Sequence, residues 1–92
     1  MVTPPMPKSV FSPRYRRFRE LLIQARKAAE LTQTELADRL QRPQSFVSKY
    51  ENGERRLDLI EFLDVATVLR IDIAIFIRDL QQDTPQPDSK KR

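Results

Sequence analysis

Apolar side chains recur at three- and four-residue intervals through residues 12–80, and short polar breaks divide this stretch into five segments. This spacing is typical of amphipathic helices, so the sequence predicts an all-α domain of five helices. Ser12 is a suitable N-cap for the first helix, and Pro13 suits its first position. The apolar face of that helix comprises Tyr15, Phe18, Leu21, Leu22, Ala25, Ala28 and Ala29.

The second and third helices have clear boundary signals. Thr32 and Glu35 have the spacing of a capping box, which predicts the start of a short second helix. Pro43 interrupts the chain, and a third helix is predicted over residues 44–52. Gly53 then stands where a left-handed C-cap is needed. The predicted inward side chains of these two helices are Leu36, Ala37, Leu40, Val47 and Tyr50.

The fourth helix is predicted to begin after Asp58. Asp58 and Glu61 form a second capping box, while Leu57 and Phe62 have the spacing of a hydrophobic staple. An acidic metal site built from Asp58, Glu61 and Asp64 is disfavoured, because the first two residues are better used in capping. The expected buried stripe comprises Leu59, Phe62, Leu63, Ala66 and Leu69.

The segment Ile71–Ile77 is ambiguous, because its isoleucines alternate with a period of two. A strand here would have no partner, since nothing else in the chain is strand-like. As a helix, the segment presents one apolar face made of Ile73, Phe76, Ile77 and Leu80. We therefore predict a fifth helix that ends at Leu80, with Ile71 and Ile75 on its opposite side.

The 92 residues suffice for one small domain, which we expect to span residues 12–80. The segments 1–11 and 81–92 are rich in proline or polar residues and are predicted to be disordered. No run of about 18 apolar residues and no signal-peptide pattern is present, which favours a cytoplasmic protein without membrane contact.

The composition excludes several kinds of chemistry. The chain has no cysteine, no histidine and a single glycine. Disulfides, thiolate or imidazole metal sites, a histidine general base and a glycine-rich phosphate loop are therefore impossible. We expect no enzymatic activity, no metal, no cofactor and no small-molecule ligand.

The charge is distributed unevenly along the chain. Lysine and arginine number 17 against 13 acidic residues, and residues 1–30 hold seven basic and two acidic side chains. Residues 57–80 hold two basic and five acidic ones. The basic first helix suits either nearby nucleic-acid phosphates or simple solubility, and both interpretations stay open at this point. The proline-rich segment 1–11 could likewise wrap around a nucleic acid or have no such role, and both alternatives stay open.

The segment QTELADRLQRPQSFVSKYEN, residues 33–52, resembles the helix-turn-helix of the Cro/C1-type (XRE) family of bacterial and phage DNA-binding regulators. LTQTELA at its start and YENGERR at its end strengthen the resemblance, which covers about residues 17–69. It implies a lambda-repressor-like fold. The family usually has glycine where this chain has Gln41, so a left-handed residue there would cost about 1 kcal/mol.

The third helix is then the recognition helix, and its side turned away from Val47 and Tyr50 is expected to read base edges. Glutamine can bind adenine, and lysine can reach guanine O6 or N7. Phe46 is expected to face a thymine methyl group or the sugar wall. The predicted base-contacting residues are Gln44, Ser45, Ser48 and Lys49.

The resemblance also implies that Gln33 contacts a phosphate and braces Gln44, and that Arg26 pairs with Glu51. The phosphate contacts supply affinity without reading sequence. The predicted phosphate-contacting residues are Gln33, Arg42, Asn52, Arg55 and Arg56.

These expectations favour a transcriptional regulator, most simply a repressor, that binds a palindromic operator on double-stranded DNA as a homodimer. Ile71 and Ile75 are nominated as the dimer contact, with half-sites about 34 Å apart. Two alternatives stay open: an antitoxin that also binds a toxin protein, and a protein-interaction module that does not bind DNA. A bacterial or phage origin and association with the nucleoid are implied.

Overall fold

A computed structural model describes residues 12–83, which form five α-helices and contain no strand. The all-α, five-helix prediction is therefore confirmed, and the ambiguous isoleucine segment is helical from Ile73 onward, while Ile71 and Asp72 precede the helix. The segments 1–11 and 84–92 lie outside the described residues, and with them the predictions of disorder there. The helices are α1 (Pro13–Ala28), α2 (Gln33–Leu40), α3 (Gln44–Asn52), α4 (Leu59–Leu69) and α5 (Ile73–Asp83).

The helix starts follow the capping signals. The Ser12 hydroxyl accepts a hydrogen bond from the Tyr15 N–H at 2.9 Å. Both capping boxes are reciprocal, since each cap side chain accepts from the backbone of the third helical residue and the glutamate carboxylate accepts from the cap backbone. Local sequence thus determines where α1, α2 and α4 begin.

The end of α5 differs from the prediction. The helix continues through Asp83, three residues beyond the predicted end at Leu80. Glutamine has a good helix propensity, so polarity alone did not stop the helix at Gln81.

Left-handed residues end several helices. Gly53 has φ 81°, as its position predicted, and Gln41 has φ 59° although it is not glycine. Glu30 and Arg70 are also left-handed, which the sequence did not predict. The turn at Gln41 lets the N–H of Arg42 donate to the Ala37 carbonyl at 3.0 Å, closing the end of α2.

Around the core, α1 packs against α3 and α5, while α2 packs across α3 and against α4. An aromatic cluster joins α1, α4 and α5: the ring centroids of Phe18, Phe62 and Phe76 lie 5.2–5.8 Å apart. Such tilted and edge-on pairs are favourable beyond their burial. The largest fully buried side chains are Leu22, Leu36, Val47, Tyr50 and Val65.

The predicted buried stripe of α4 is partly wrong. Leu59 is 67% exposed and Leu63 39% exposed, whereas Val65 is completely buried. Both arcs of the helix have the i, i+3, i+4 spacing, because α4 is apolar on most of its circumference. Packing against α1 and α2 selects the arc that contains Val65, and the spacing alone could not.

The apolar residues at α5 are also arranged differently from the prediction. Ile71 lies in the turn before α5, where it packs half-buried against the core. This corrects the prediction that Ile71 is a spare apolar group on the far side of the helix. Ile75 is 45% exposed, while Ile77, expected in the core, is 39% exposed.

Candidate nucleic-acid interface

One side of α3 is at the surface and the other is in the core. At about 100° per residue, positions 44, 45, 48, 49 and 52 fall within an arc of about 140°. The opposite arc holds the four buried residues Phe46, Val47, Tyr50 and Glu51. Ala37 of α2, 1% exposed, lies in the same core and leaves room for the two helices to approach closely.

The predicted base-contacting residues lie on this exposed arc. Gln44, Ser45 and Lys49 are exposed, and Asn52 is exposed at the last position of α3. Ser48 is only half-buried, and its hydroxyl donates to the Ser45 carbonyl oxygen at 3.3 Å. The arc therefore offers amide, hydroxyl and ammonium groups, which are the groups that bind base edges.

A chain of side-chain hydrogen bonds fixes the first residue of this arc. Arg26 Nε and Nη2 donate to the two carboxylate oxygens of Glu51 at 2.8 and 3.0 Å. Gln33 Nε2 donates to Glu51 Oε1 at 2.8 Å, and Gln44 Nε2 donates to Gln33 Oε1 at 2.9 Å. The structure thus links α1, α2 and α3 through the residues that the resemblance had paired.

This network is partly removed from solvent. The Glu51 side chain is 3% exposed and that of Arg26 is 12% exposed. The hydrogen bonds to Glu51 raise the pKa of Arg26 above its ordinary value. Burial raises the pKa of the neighbouring Tyr50 hydroxyl above its ordinary value. The Arg26 guanidinium is therefore charged at neutral pH, and two parallel hydrogen bonds fix its geometry against Glu51.

Arg19 has a role that the sequence did not reveal. Its Nη1 donates to the backbone carbonyl of Glu51 at 2.9 Å, near the C-terminal end of α3 where cations are favourable. A Cβ at Gly53 would lie 3.1 Å from Arg19 Cζ, so the close approach and the positive φ both favour glycine there. Arg19 is one of several arginines in α1, and nothing in the sequence distinguishes it as the one that contacts the end of α3.

The environment of Phe46 corrects another expectation. Phe46 is 8% exposed and packs edge-on against Tyr50, with ring centroids 5.6 Å apart. The Cζ atoms of Arg42 and Arg55 lie 4.5 and 4.8 Å from the centre of its ring. Phe46 is therefore buried beside two arginines and does not lie on the exposed arc of α3.

Among the predicted phosphate-contacting arginines, Arg42 and Arg55 share Glu61 and Phe46 as partners, whereas Arg56 contacts Tyr15. Arg55 Nη1 and Nη2 donate to Glu61 Oε1 and Oε2 at 3.0 and 2.8 Å. Arg42 Nη2 lies 3.8 Å from Glu61 Oε2. Arg56 is stacked on Tyr15, with its Cζ 4.8 Å from the ring centre. The role of Glu61 beyond capping was missed, because Arg55 and Glu61 meet only through the loop that precedes α4.

A metal site and a membrane span each place their own requirements on residues 12–83. Within that range no three acidic, histidine or cysteine side chains lie close enough to hold a metal ion. No helix of the described part is long and apolar enough to cross a membrane. The polar arc of α3 and the arginines that flank it are therefore the features that a functional interpretation must explain.

A helix held against its predecessor at a tight turn, with its polar arc outward, defines a helix-turn-helix DNA-binding domain. The comparisons with known proteins agree, since residues 22–76 match the Helix-turn-helix family model. The chain belongs to this family, in its Cro/C1-type (XRE) branch, and is a DNA-binding transcription regulator.

A similar solved structure is an XRE-family like protein from Pseudomonas syringae pv. tomato str. DC3000. The two sequences are 50% identical, the match covers 85% of this chain and 95% of that chain, and the TM-score is 0.76. No curated protein matches the chain.

Proposed function

We propose that this regulator represses transcription by binding a palindromic operator as a homodimer, with α3 in the major groove. The observation that carries this proposal is the fixed position of Gln44. Its side chain is exposed on α3, yet it is connected through Gln33 to the buried Glu51. A recognition side chain that is ordered before binding loses less conformational entropy when it contacts a base.

Gln44 keeps the groups it needs for an adenine. Its Nε2 has two N–H donors, and one of them is used by Gln33. The second N–H can donate to adenine N7 while Oε1 accepts from adenine N6. Lys49 lies further along the same arc and suits guanine O6 or N7, while Ser45 and Ser48 supply hydroxyls.

We propose that the residues flanking the polar arc of α3 contact the phosphate backbone of the DNA. Gln33 lies at the start of α2, Arg42 in the turn before α3, and Asn52 at the end of α3. Arg56 follows in the loop. These positions surround the recognition helix, as expected for groups that fix its register on the phosphates. Arg55 requires separate treatment because Glu61 binds it.

The test is selection of bound fragments from the source genome at about 150 mM salt, with the wild type and Gln44→Ala in parallel. We expect the wild type to enrich an inverted repeat and Gln44→Ala to lose or change it, because a bidentate base contact is worth about 1–3 kcal/mol.

Gln24→Ala is the matched control, since Gln24 is an exposed glutamine on α1, outside the polar arc of α3. It should enrich the same site as the wild type. Recovery of one identical sequence pattern by all three proteins would refute base reading by Gln44. Recovery of fragments without a common pattern by the wild type would refute the operator itself.

A further inference from the structure

Four side chains form a cluster beside the recognition helix. We call Arg42, Phe46, Arg55 and Glu61 the arginine clasp. Arg42 precedes α3, Phe46 lies on it, Arg55 follows it, and Glu61 is in the first turn of α4. Both guanidinium groups lie within 5 Å of the Phe46 ring centre, and both approach the same oxygen of Glu61.

The single carboxylate is divided unequally between the two arginines. Arg55 uses both terminal nitrogens on Glu61, and its Nη1 also donates to the Arg56 carbonyl oxygen at 3.1 Å. Arg42 reaches the carboxylate with one nitrogen at 3.8 Å, too far for a hydrogen bond. The clasp has two positive charges and one negative charge, and Arg42 has the weaker contact with the carboxylate.

A carboxylate and a phosphate bind arginine in the same way, through two parallel hydrogen bonds to adjacent nitrogens. We propose that Glu61 competes with a DNA phosphate for Arg55, and thereby limits the phosphates that this protein neutralises. The inference rests on the DNA-binding function. In the wild-type protein, Arg42 is then available to contact a DNA phosphate, whereas the terminal nitrogens of Arg55 are occupied by Glu61.

Phe46 explains why an arginine released from Glu61 would stay in place. Its ring attracts the Arg55 guanidinium independently of Glu61, as aromatic faces attract cations. Glu61→Gln therefore frees Arg55 without removing its support. Glutamine at this position also preserves the capping box with Asp58, because glutamine replaces glutamate in that motif.

The competition is measured with a fluorescein-labelled 24-base-pair duplex of mixed sequence that contains no inverted repeat. Fluorescence anisotropy titrations from 50 to 200 mM NaCl give the slope of log K against log salt concentration. Each neutralised phosphate contributes about 0.9 to that slope. We expect Glu61→Gln to steepen the slope by about 0.9, so that its affinity gain is about 3.5-fold larger at 50 than at 200 mM.

Two arginine variants distinguish the partners. Arg55→Gln should retain the wild-type slope, whereas Arg42→Gln should make the slope less steep by about 0.9, because one phosphate contact is lost. The double variant Glu61→Gln, Arg55→Gln should lose the gain of Glu61→Gln. If Glu61→Gln is not helical by circular dichroism, the Arg55→Gln titration is the test. A slope equal to that of the wild type then supports the competition, and a slope less steep by about 0.9 overturns it.

Asp64→Asn controls for net charge. Asp64 is an exposed carboxylate one turn further along α4, and its removal changes the total charge by the same amount. An equal gain with Asp64→Asn would reduce the effect to general electrostatics and overturn the competition. With salt-dependent wild-type binding intact, an unchanged Glu61→Gln slope overturns the competition alone. Absence of any wild-type DNA binding would overturn DNA binding itself and this inference with it.

Discussion

At the scale of single residues, Glu51 organises the candidate interface. Its carboxylate accepts hydrogen bonds from Arg26 of α1 and Gln33 of α2, while its backbone carbonyl accepts from Arg19. Because Gln33 in turn holds Gln44, one buried acidic group positions both the core of the helix-turn-helix and the first side chain that we propose to read a base. Loss of a partner from this network should therefore affect stability and DNA binding together.

We predict that Arg26→Ala lowers the free energy of unfolding by about 3 kcal/mol, because it leaves Glu51 buried without its main compensating charge. The measurement is urea denaturation followed by circular dichroism. Arg78→Ala is the control, since Arg78 is 61% exposed and lies 3.9 Å from Asp79. It should cost less than about 1 kcal/mol. Equal losses in the two variants would contradict the structural role of the buried pair.

At the scale of elements, local sequence determined how the helices start but not which faces they bury. The capping boxes at Thr32 and Asp58 exist as predicted, since their groups are three residues apart. The buried arc of α4 was misassigned, because two arcs of that helix are apolar. Glu61 illustrates both situations: its capping contact was predictable, and its contact with Arg55 was not.

The Glu61 carboxylate in the first turn of α4 should make the stability of the fold depend on pH. The hydrogen bonds from Arg55 are the main cause that lowers the pKa of Glu61 to about 2. In the unfolded chain the glutamate pKa is about 4.3. A carboxylate with a lower pKa in the folded state stabilises the fold above the unfolded value, and this contribution is lost as the pH falls toward 2.

We therefore expect wild-type stability to fall more steeply than that of Glu61→Gln between about pH 5 and pH 2, by about 1 kcal/mol after solvent screening. Urea denaturation at several pH values measures the difference. Asp64→Asn, which removes an exposed carboxylate from the same helix, should retain the steep wild-type dependence. Parallel curves for the wild type and Glu61→Gln would be inconsistent with a stabilising Arg55–Glu61 pair.

At the scale of the whole molecule, the surfaces divide by chemistry. The polar arc of α3 and its flanking arginines occupy one region. On α4 and α5, large apolar side chains are exposed, and residues 57–80 contain two basic against five acidic residues. Such a surface is unsuited to DNA and suited to protein contact. The exposed apolar residues are Leu59, Ile60, Leu63, Ile75 and Ile77.

For the proposed homodimer, we predict that Ile75→Glu gives a folded monomer with weakened operator binding, because a charge would be buried in the contact. Sedimentation velocity measures the oligomeric state, and circular dichroism the fold. Gln24→Glu adds the same charge on the exposed side of α1 and should leave the dimer intact. A persistent Ile75→Glu dimer would exclude Ile75 from the contact, and Leu59 and Ile60 would be the next candidates.

The sequence by itself determined the five helices, the N-terminal caps of α1, α2 and α4, and the arc of α3 that faces solvent. These features depend on residues within a few positions of each other, where helical geometry fixes which groups meet. The motif at residues 33–52 also allowed the Arg26–Glu51 and Gln33–Gln44 pairs to be anticipated by resemblance.

Only the tertiary structure decided which arc of α4 is buried, that Ile71 packs half-buried against the core, and that Phe46 is buried beside two arginines. It also brought Glu61 to Arg55 and Arg19 to the end of α3. These outcomes depend on how helices distant in sequence pack and how loops place their ends. Helical periodicity shows which face of a helix is more apolar, but it cannot choose between two equally apolar faces of α4. Nor can it show which of several surface arginines will meet a partner, because that depends on how the helices pack.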